Sequence, residues 1–139
     1  MPLHRPDKSK AQPSGKELKK RQTYKQGLKA ERWAMWILRA KGYSIRAQRY
    51  KAQGGEIDLI AQKGKSLVFV EVKYRQSLED ALYSITPRNQ ARIVAASQHY
   101  LANHSCEAFE TFRFDVMAFA PKKGLLPRYQ HIENAFEAF

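Results

Sequence analysis

Gly54-Gly55-Glu56-Ile57-Asp58-Leu59-Ile60, followed shortly by Val68-Phe69-Val70-Glu71-Val72-Lys73, is the stretch on which the fold turns. Both runs are rich in β-branched and apolar residues and read as strands, over Glu56–Gln62 and Ser66–Tyr74. Gly64-Lys65 between them suits a two-residue hairpin turn with glycine first, as type II′ requires. That turn sets the register. Paired numbers sum to 129, so Ile60 faces Phe69 (60 + 69), Leu59 faces Val70, Asp58 faces Glu71 and Glu56 faces Lys73. Because strand side chains alternate between faces, Glu56, Asp58, Glu71 and Lys73 share one face. Ile57, Leu59, Val68, Val70 and Val72 form the other, which is continuous, apolar and in need of burial.

Directly opposed side chains have Cβ atoms about 4.5–5.5 Å apart. Two carboxylates held so closely in a partly buried site repel by on the order of a few kcal/mol, or one stays protonated. A divalent cation between them removes the conflict. Hard oxygen ligands with open positions suit Mg²⁺ or Mn²⁺ better than Zn²⁺, and His4, His99, His104, His131 and Cys106 show no zinc-ligand spacing. Lys73 lies roughly 7 Å from Glu71 along the same strand face. There it can orient or deprotonate a water, or offset charge building on a phosphate. Asp58, Glu71 and Lys73 thus have the make-up of a metal-assisted phosphodiesterase site. The competing reading is a wet strand face on which Glu56 and Lys73 form an ordinary cross-strand ion pair.

Outward from the hairpin, residues 28–41 read as a helix with Ala30, Ala34, Ile37 and Leu38 at helical spacing, ended by Gly42. Tyr43, Ile45 and Ala47 alternate in a first strand. Thr86-Pro87 opens a second helix running to about Leu101, as an N-cap followed by proline at the first position. Phe112, Phe114, Val116 and Ala118 alternate in a fourth strand, and the piece from Tyr129 to Phe139 fits no single element. Residues 1–26 carry eight basic and two acidic side chains, and almost nothing apolar. They read as a basic tail without fixed structure, serving either solubility or phosphate binding, ahead of one folded domain over 27–139.

The whole chain of 139 residues carries 25 Lys and Arg against 13 Asp and Glu, a formal charge of +12. Such an excess favours a polyanion, either nucleic acid or an anionic membrane surface. No apolar run approaches the ~20 residues of a membrane span, and no secretory signal pattern is present. The lone Cys106 fits a reducing cytosol.

The hairpin motif Gly54-Gly55-Glu56-Ile57-Asp58-Leu59-Ile60 and Val68-Phe69-Val70-Glu71-Val72-Lys73-Tyr74-Arg75 resembles the bacterial YraN family. The resemblance extends to Ala30-Glu31, Ala34, Gly42-Tyr43, Ile85-Thr86-Pro87, Gln90, Arg92-Ile93, Ala95-Ala96, Tyr100-Leu101, Phe114-Asp115 and Ala135-Phe136. It implies an α/β, restriction-endonuclease-like (PD-(D/E)XK) three-layer sandwich, with a mixed central sheet flanked by helices, as in Holliday-junction resolvases. Asp58 matches the motif aspartate, Glu71 the acidic member, Lys73 the lysine and Glu31 the first-helix glutamate that often completes the metal site. Ile57 stands where the PD-(D/E)XK pattern has proline, a departure common in its divergent members. A branched DNA substrate and a homodimer are further implications, since resolvases of this fold act as dimers.

Several residues are expected to support the site. Glu31 sits beside the apolar stripe of its helix, where a carboxylate needs a partner; the options are a third metal ligand, solvent, or a pair with Arg32 or Lys41. Gln90 faces inward near a helix start and can hydrogen-bond a water or phosphate, or serve as a structural amide. Arg88 and Arg92 beside it, together with Arg46, Arg49, Lys51 and Arg75, are the candidate phosphate contacts. Trp33 and Trp36 can stack on bases, although core aromatics are commoner. Asp115 reads as structural. Three readings follow. One is a Mg²⁺- or Mn²⁺-dependent nuclease on nucleic acid, DNA ahead of RNA. Another is a non-catalytic nucleic-acid-binding protein of the same fold. The third is a basic protein held to membranes or ribosomes by its tail.

Overall fold

The computed structural model describes residues 12–138. Its elements run α1 (Gly15–Ala40), β1 (Ser44–Ala52), β2 (Gly55–Lys63), β3 (Ser66–Tyr74), α2 (Leu78–Tyr83), α3 (Pro87–Asn103), β4 (Thr111–Lys123) and β5 (Leu126–Phe136). The strands form one sheet in the order β1-β2-β3-β4-β5. All neighbours are antiparallel except β3 and β4, which the α2–α3 crossover makes parallel. Helices cover both faces. On one, Ala30, Ala34 and Leu38 of α1 pack on Leu59, Ala61, Val68, Val70, Met117 and Phe119. On the other, Ile93, Ala96 and Tyr100 of α3 pack on Ile60, Leu67, Phe69 and Phe114. The mixed sheet between helices expected from the sequence is present.

The hairpin has the expected register: Leu59 pairs with Val70, Ile60 with Phe69 and Lys63 with Ser66, around Gly64 at φ 58°. Asp58 and Glu71, however, are not ladder partners; pairing stops at Leu59 and Val70. The β1–β2 ladder is interrupted at the same level. Gln48 pairs with Leu59 and Tyr50 with Ile57, but Asp58 and the intervening Arg49, at φ 48°, drop out. This break overturns one expectation. Ile57 does not share the face of Leu59 and Val70 but joins the α3-side cluster with Ile60 and Phe69, because strict alternation fails across Asp58.

Other elements differ in extent. Residues 1–11 of the expected tail lie outside the described residues, but α1 begins at Gly15, three turns before the predicted start. Ser14 and Glu17 form a reciprocal capping box, with Ser14 N to Glu17 Oε2 at 3.1 Å and Glu17 N to Ser14 Oγ at 3.2 Å. Once the packed part of α1 is helical, extension toward Gly15 needs no new nucleus. The short α2, capped by Ser77, was not anticipated. Thr86 caps α3 as expected, accepting from Asn89 N at 3.2 Å, with Pro87 at the first position. The ambiguous C-terminal piece supplies the edge strand β5 as far as Phe136, while Phe139 lies outside the described residues.

Candidate metal and phosphodiester site

Local backbone geometry opens the site. In a two-residue hairpin the closing pair is hydrogen-bonded and alternate pairs repeat that pattern. By this count Val72 N–H should donate to the Ile57 carbonyl. It donates instead to Asp58 Oδ2, at 2.8 Å. The Asp58 side chain thus takes the place of a main-chain acceptor where β2 and β3 part. Gly54 and Gly55 bring β2 hard against α3. Gly54 has φ 88°, and a Cβ on Gly55 would lie 1.8 Å from the carbonyl oxygen of Arg92. A cleft of about 160 Å³ remains between the two elements, lined by Glu56, Asp58, Glu71, Asn89, Arg92 and Ile93.

Asp58 and Glu71 meet in this cleft. Burial pushes the Asp58 carboxyl up to about 8, the charge of Glu71 adds to the rise, and the Val72 N–H opposes it. Glu71 is also raised, first by burial, while Lys73 pulls the other way. Lys73 Nζ lies 3.3 Å from Glu71 Oε1 and both side chains are largely buried. Lys73 therefore pairs with Glu71 on its own strand; a pair with Glu56 is not seen. The arrangement is a poorly hydrated acidic pair with one ammonium beside it, which favours binding a cation or keeping a proton.

The remaining predicted residues divide. Glu31 is close enough to Asp58 to raise its pKa, but its carboxylate accepts from Arg49 Nε at 3.0 Å, and pairs with neither Arg32 nor Lys41. Arg92 lines the cleft, and Arg88 is exposed on the first turn of α3. Lys51 is exposed, and Arg75 donates to the Tyr74 carbonyl at 2.7 Å. Arg46 is held by Tyr100 Oη and Gln62 Oε1, both at 2.9 Å, and lies over the Phe109 ring. Gln90 lines a separate hollow with Leu82, Ile85 and Val116. Its neighbour Asn89 takes the cleft position, with its amide donating to the Ser84 carbonyl at 3.0 Å. One residue along a helix is a turn of about 100°, a difference that apolar periodicity alone does not resolve. Trp36 is 67% exposed, while Trp33 packs partly against the core.

The residues fit a hard divalent ion of the Mg²⁺ type. Such an ion is commonly held by one or two carboxylates and completes its shell with water and phosphate oxygens. Asp58 and Glu71 would supply the two carboxylates. Among the described residues no group of three or more His, Cys, Asp or Glu side chains is gathered for a metal, consistent with the engagement of Glu31 by Arg49. No described helix is long and apolar enough to cross a membrane.

Comparison with known proteins agrees with the hairpin motif. The sequence model of the uncharacterised protein family UPF0102 matches residues 30–119, which leaves the first turns of α1 outside the match. A UPF0102 protein of Nitrobacter winogradskyi is 50% identical over 113 residues, covering 81% of this chain and 92% of the relative. One from Rhodopseudomonas palustris (strain BisB5) is 47% identical over 115 residues, 83% of this chain and 85% of the relative. Another from Bradyrhizobium diazoefficiens is also 47% identical over 115 residues, covering 83% and 84%.

Proposed function

From the premise that this chain belongs to the UPF0102 (YraN) family, whose description carries no chemistry, we propose a divalent-metal-dependent nuclease of the PD-(D/E)XK class. The observation that carries the reading is the convergence of Asp58 and Glu71. These two carboxyls are buried, each raised above its ordinary pKa first by that burial, and they lie beside Lys73 in a cleft open to solvent. A folded protein tolerates such a pair when a ligand of opposite charge compensates it.

In this mechanism Asp58 and Glu71 would hold the ion, and the Val72 N–H fixes the Asp58 carboxylate in place through Oδ2. When bound, Mg²⁺ or Mn²⁺ supplies Lewis-acid stabilisation to the phosphodiester oxygens. Lys73, steered by Glu71, positions the attacking water and offsets charge on the phosphate. Arg92 and Arg88, at the start of α3, hold the backbone of the nucleic acid. Glu31, held by Arg49 in this structure, would be the third carboxylate of the site if that pair opened. The +12 charge favours a nucleic-acid substrate. DNA is placed ahead of RNA, with branched DNA and a two-fold dimer carried by the family likeness alone.

A non-catalytic binding protein of the same fold is the second reading, favoured by the Glu31–Arg49 pair, which leaves the acidic set at two. Cleavage of duplex, branched and single-stranded substrates with Mn²⁺ separates the two. The nuclease reading expects wild-type cleavage that Asp58→Ala, Glu71→Ala and Lys73→Ala each reduce by at least about 100-fold, the scale of losing a charge-stabilising group. Activity unchanged in all three variants ends it.

A further inference from the structure

We propose that the first three turns of α1, Gly15–Gln26, form a helical arm that lies in the groove of duplex nucleic acid. Every residue of the segment is exposed, and the first buried residue of α1 is Ala30. It carries Lys16, Lys19, Lys20, Arg21 and Lys25 against Glu17 alone, a net charge of +4 (5 − 1). Among the described residues none of these five cations has a carboxylate partner.

The arrangement of charge names the partner. At about 100° per residue, Lys16, Lys19 and Lys20 fall on one side of the helix, and Arg21 and Lys25 on the opposite side. Leu18 and Tyr24 lie about a third of a turn apart and form no apolar stripe. A membrane-surface helix needs an apolar face with its cations opposite, and this helix lacks one. A helix about 10–12 Å across, cationic on two sides, fits a major groove about 12 Å wide with phosphates on both walls. The free arm carries a strain that a polyanion relieves. Lys16/Lys20 and Arg21/Lys25 are like-charge pairs four residues apart, and cations near a helix N-terminus oppose its dipole.

The arm is rooted beside the candidate site. Tyr24 faces the Arg49 guanidinium, which also holds Glu31, and Arg49 lies at the break in the β1–β2 ladder next to Asp58. Duplex held by the arm would pass the cleft. The binding surface stands on the arm's charge and geometry, whereas its service to cleavage rests on the nuclease reading.

Fluorescence anisotropy of a short labelled DNA duplex, titrated with full-length protein in EDTA, tests the surface with the metal chemistry removed. The variant replaces Lys16, Lys19, Lys20, Arg21 and Lys25 with Gln, which keeps helix propensity and touches no packed residue. Affinity should fall about tenfold or more at ~0.1 M salt, and the log–log salt slope should become shallower by roughly 3–4. Unchanged affinity and slope, or an equal loss on a single strand of the same length, would overturn the proposal. So would a loss confined to vesicles of anionic phospholipid. Gly27→Ala is an independent probe, because a Cβ there meets nothing within 4 Å. Stiffening the junction should tighten duplex binding about two- to fivefold, and unchanged or weaker binding counts against a helical arm. Absence of cleavage with arm-dependent binding intact would sink only the nuclease reading.

Discussion

Asp58 Oδ2 accepts the Val72 backbone N–H at 2.8 Å, so a side chain, not a strand carbonyl, ends the β2–β3 ladder. The bond preserves a buried donor's partner while placing a carboxyl against Glu71. Burial first, then Glu71, raises Asp58 to about 8.

The sign of the resulting pH effect follows from linkage. A carboxyl whose pKa is higher folded than unfolded stabilises fully below the unfolded value of 3.8, and that contribution is lost as pH rises through about 8. In metal-free buffer the Asp58 contribution should therefore decline between about pH 4 and pH 8. Asp58→Asn keeps an oxygen for Val72 N–H and removes the charge. It should raise Tm at pH 8 and flatten this part of the profile in thermal melts, while losing the stabilisation that Mn²⁺ gives wild type. A variant that melts at or below wild type at pH 8 would contradict the geometry.

Gly55→Ala should be costly for a different reason. Its Cβ would fall 1.8 Å from the Arg92 carbonyl oxygen, which is main chain and cannot rotate away. Either α3 shifts, widening the cleft, or the fold loses stability by roughly 1–3 kcal/mol, the range for overpacking. Urea denaturation compared with Gly27→Ala, where space is open, separates steric cost from the general effect of removing glycine.

How much of this could be read from sequence depends on the kind of signal. The hairpin register was legible because Gly64 fixes the turn, and one turn fixes every pair after it. The break at Asp58 was not, because Ile57 and Leu59 are equally apolar and nothing in their identity says that they point to opposite clusters. The early start of α1 left a readable mark, the Ser14-Gly15-Lys16-Glu17 capping box, which a search for apolar periodicity passes over. The partner of Glu31 is eighteen residues away on another element. Local spacing offered Arg32 and Lys41, and only tertiary packing supplies Arg49.

That pair makes a prediction about metal affinity. Arg49 is 41% exposed at its side chain, so the ion pair itself adds little to stability, about 0–1 kcal/mol. Its larger effect falls on the site, where it occupies Glu31 and adds a positive charge. Arg49→Ala should leave Tm within a few degrees of wild type and tighten Mn²⁺ severalfold, as read by isothermal titration calorimetry. Glu31→Gln should weaken it. If Arg49→Ala weakens Mn²⁺, Glu31 is not a ligand in waiting.

Asp115 shows the opposite electrostatic design and the opposite pH slope. It is fully buried at the β4–β5 bulge. Arg113 donates to it at 2.8 and 3.0 Å, the Asn134 backbone N–H at 2.9 Å, and His131 Nε2 lies at 2.7 Å. Burial alone would raise its carboxyl, but His131, Arg113 and Asn134 together hold it below the ordinary 3.8. A depressed carboxyl stabilises above its unfolded pKa, and the effect is lost as pH falls through the folded value. Its window therefore lies below about pH 4, whereas that of Asp58 lies above. Asp115→Asn leaves Arg113 and His131 short of their anion and should cost about 3–5 kcal/mol at pH 7, with a flatter acid limb. Duplex binding by the surviving folded protein should match wild type, because none of these groups lines the cleft or belongs to the arm. Full stability in Asp115→Asn at pH 7 would show that the network contributes little to the fold.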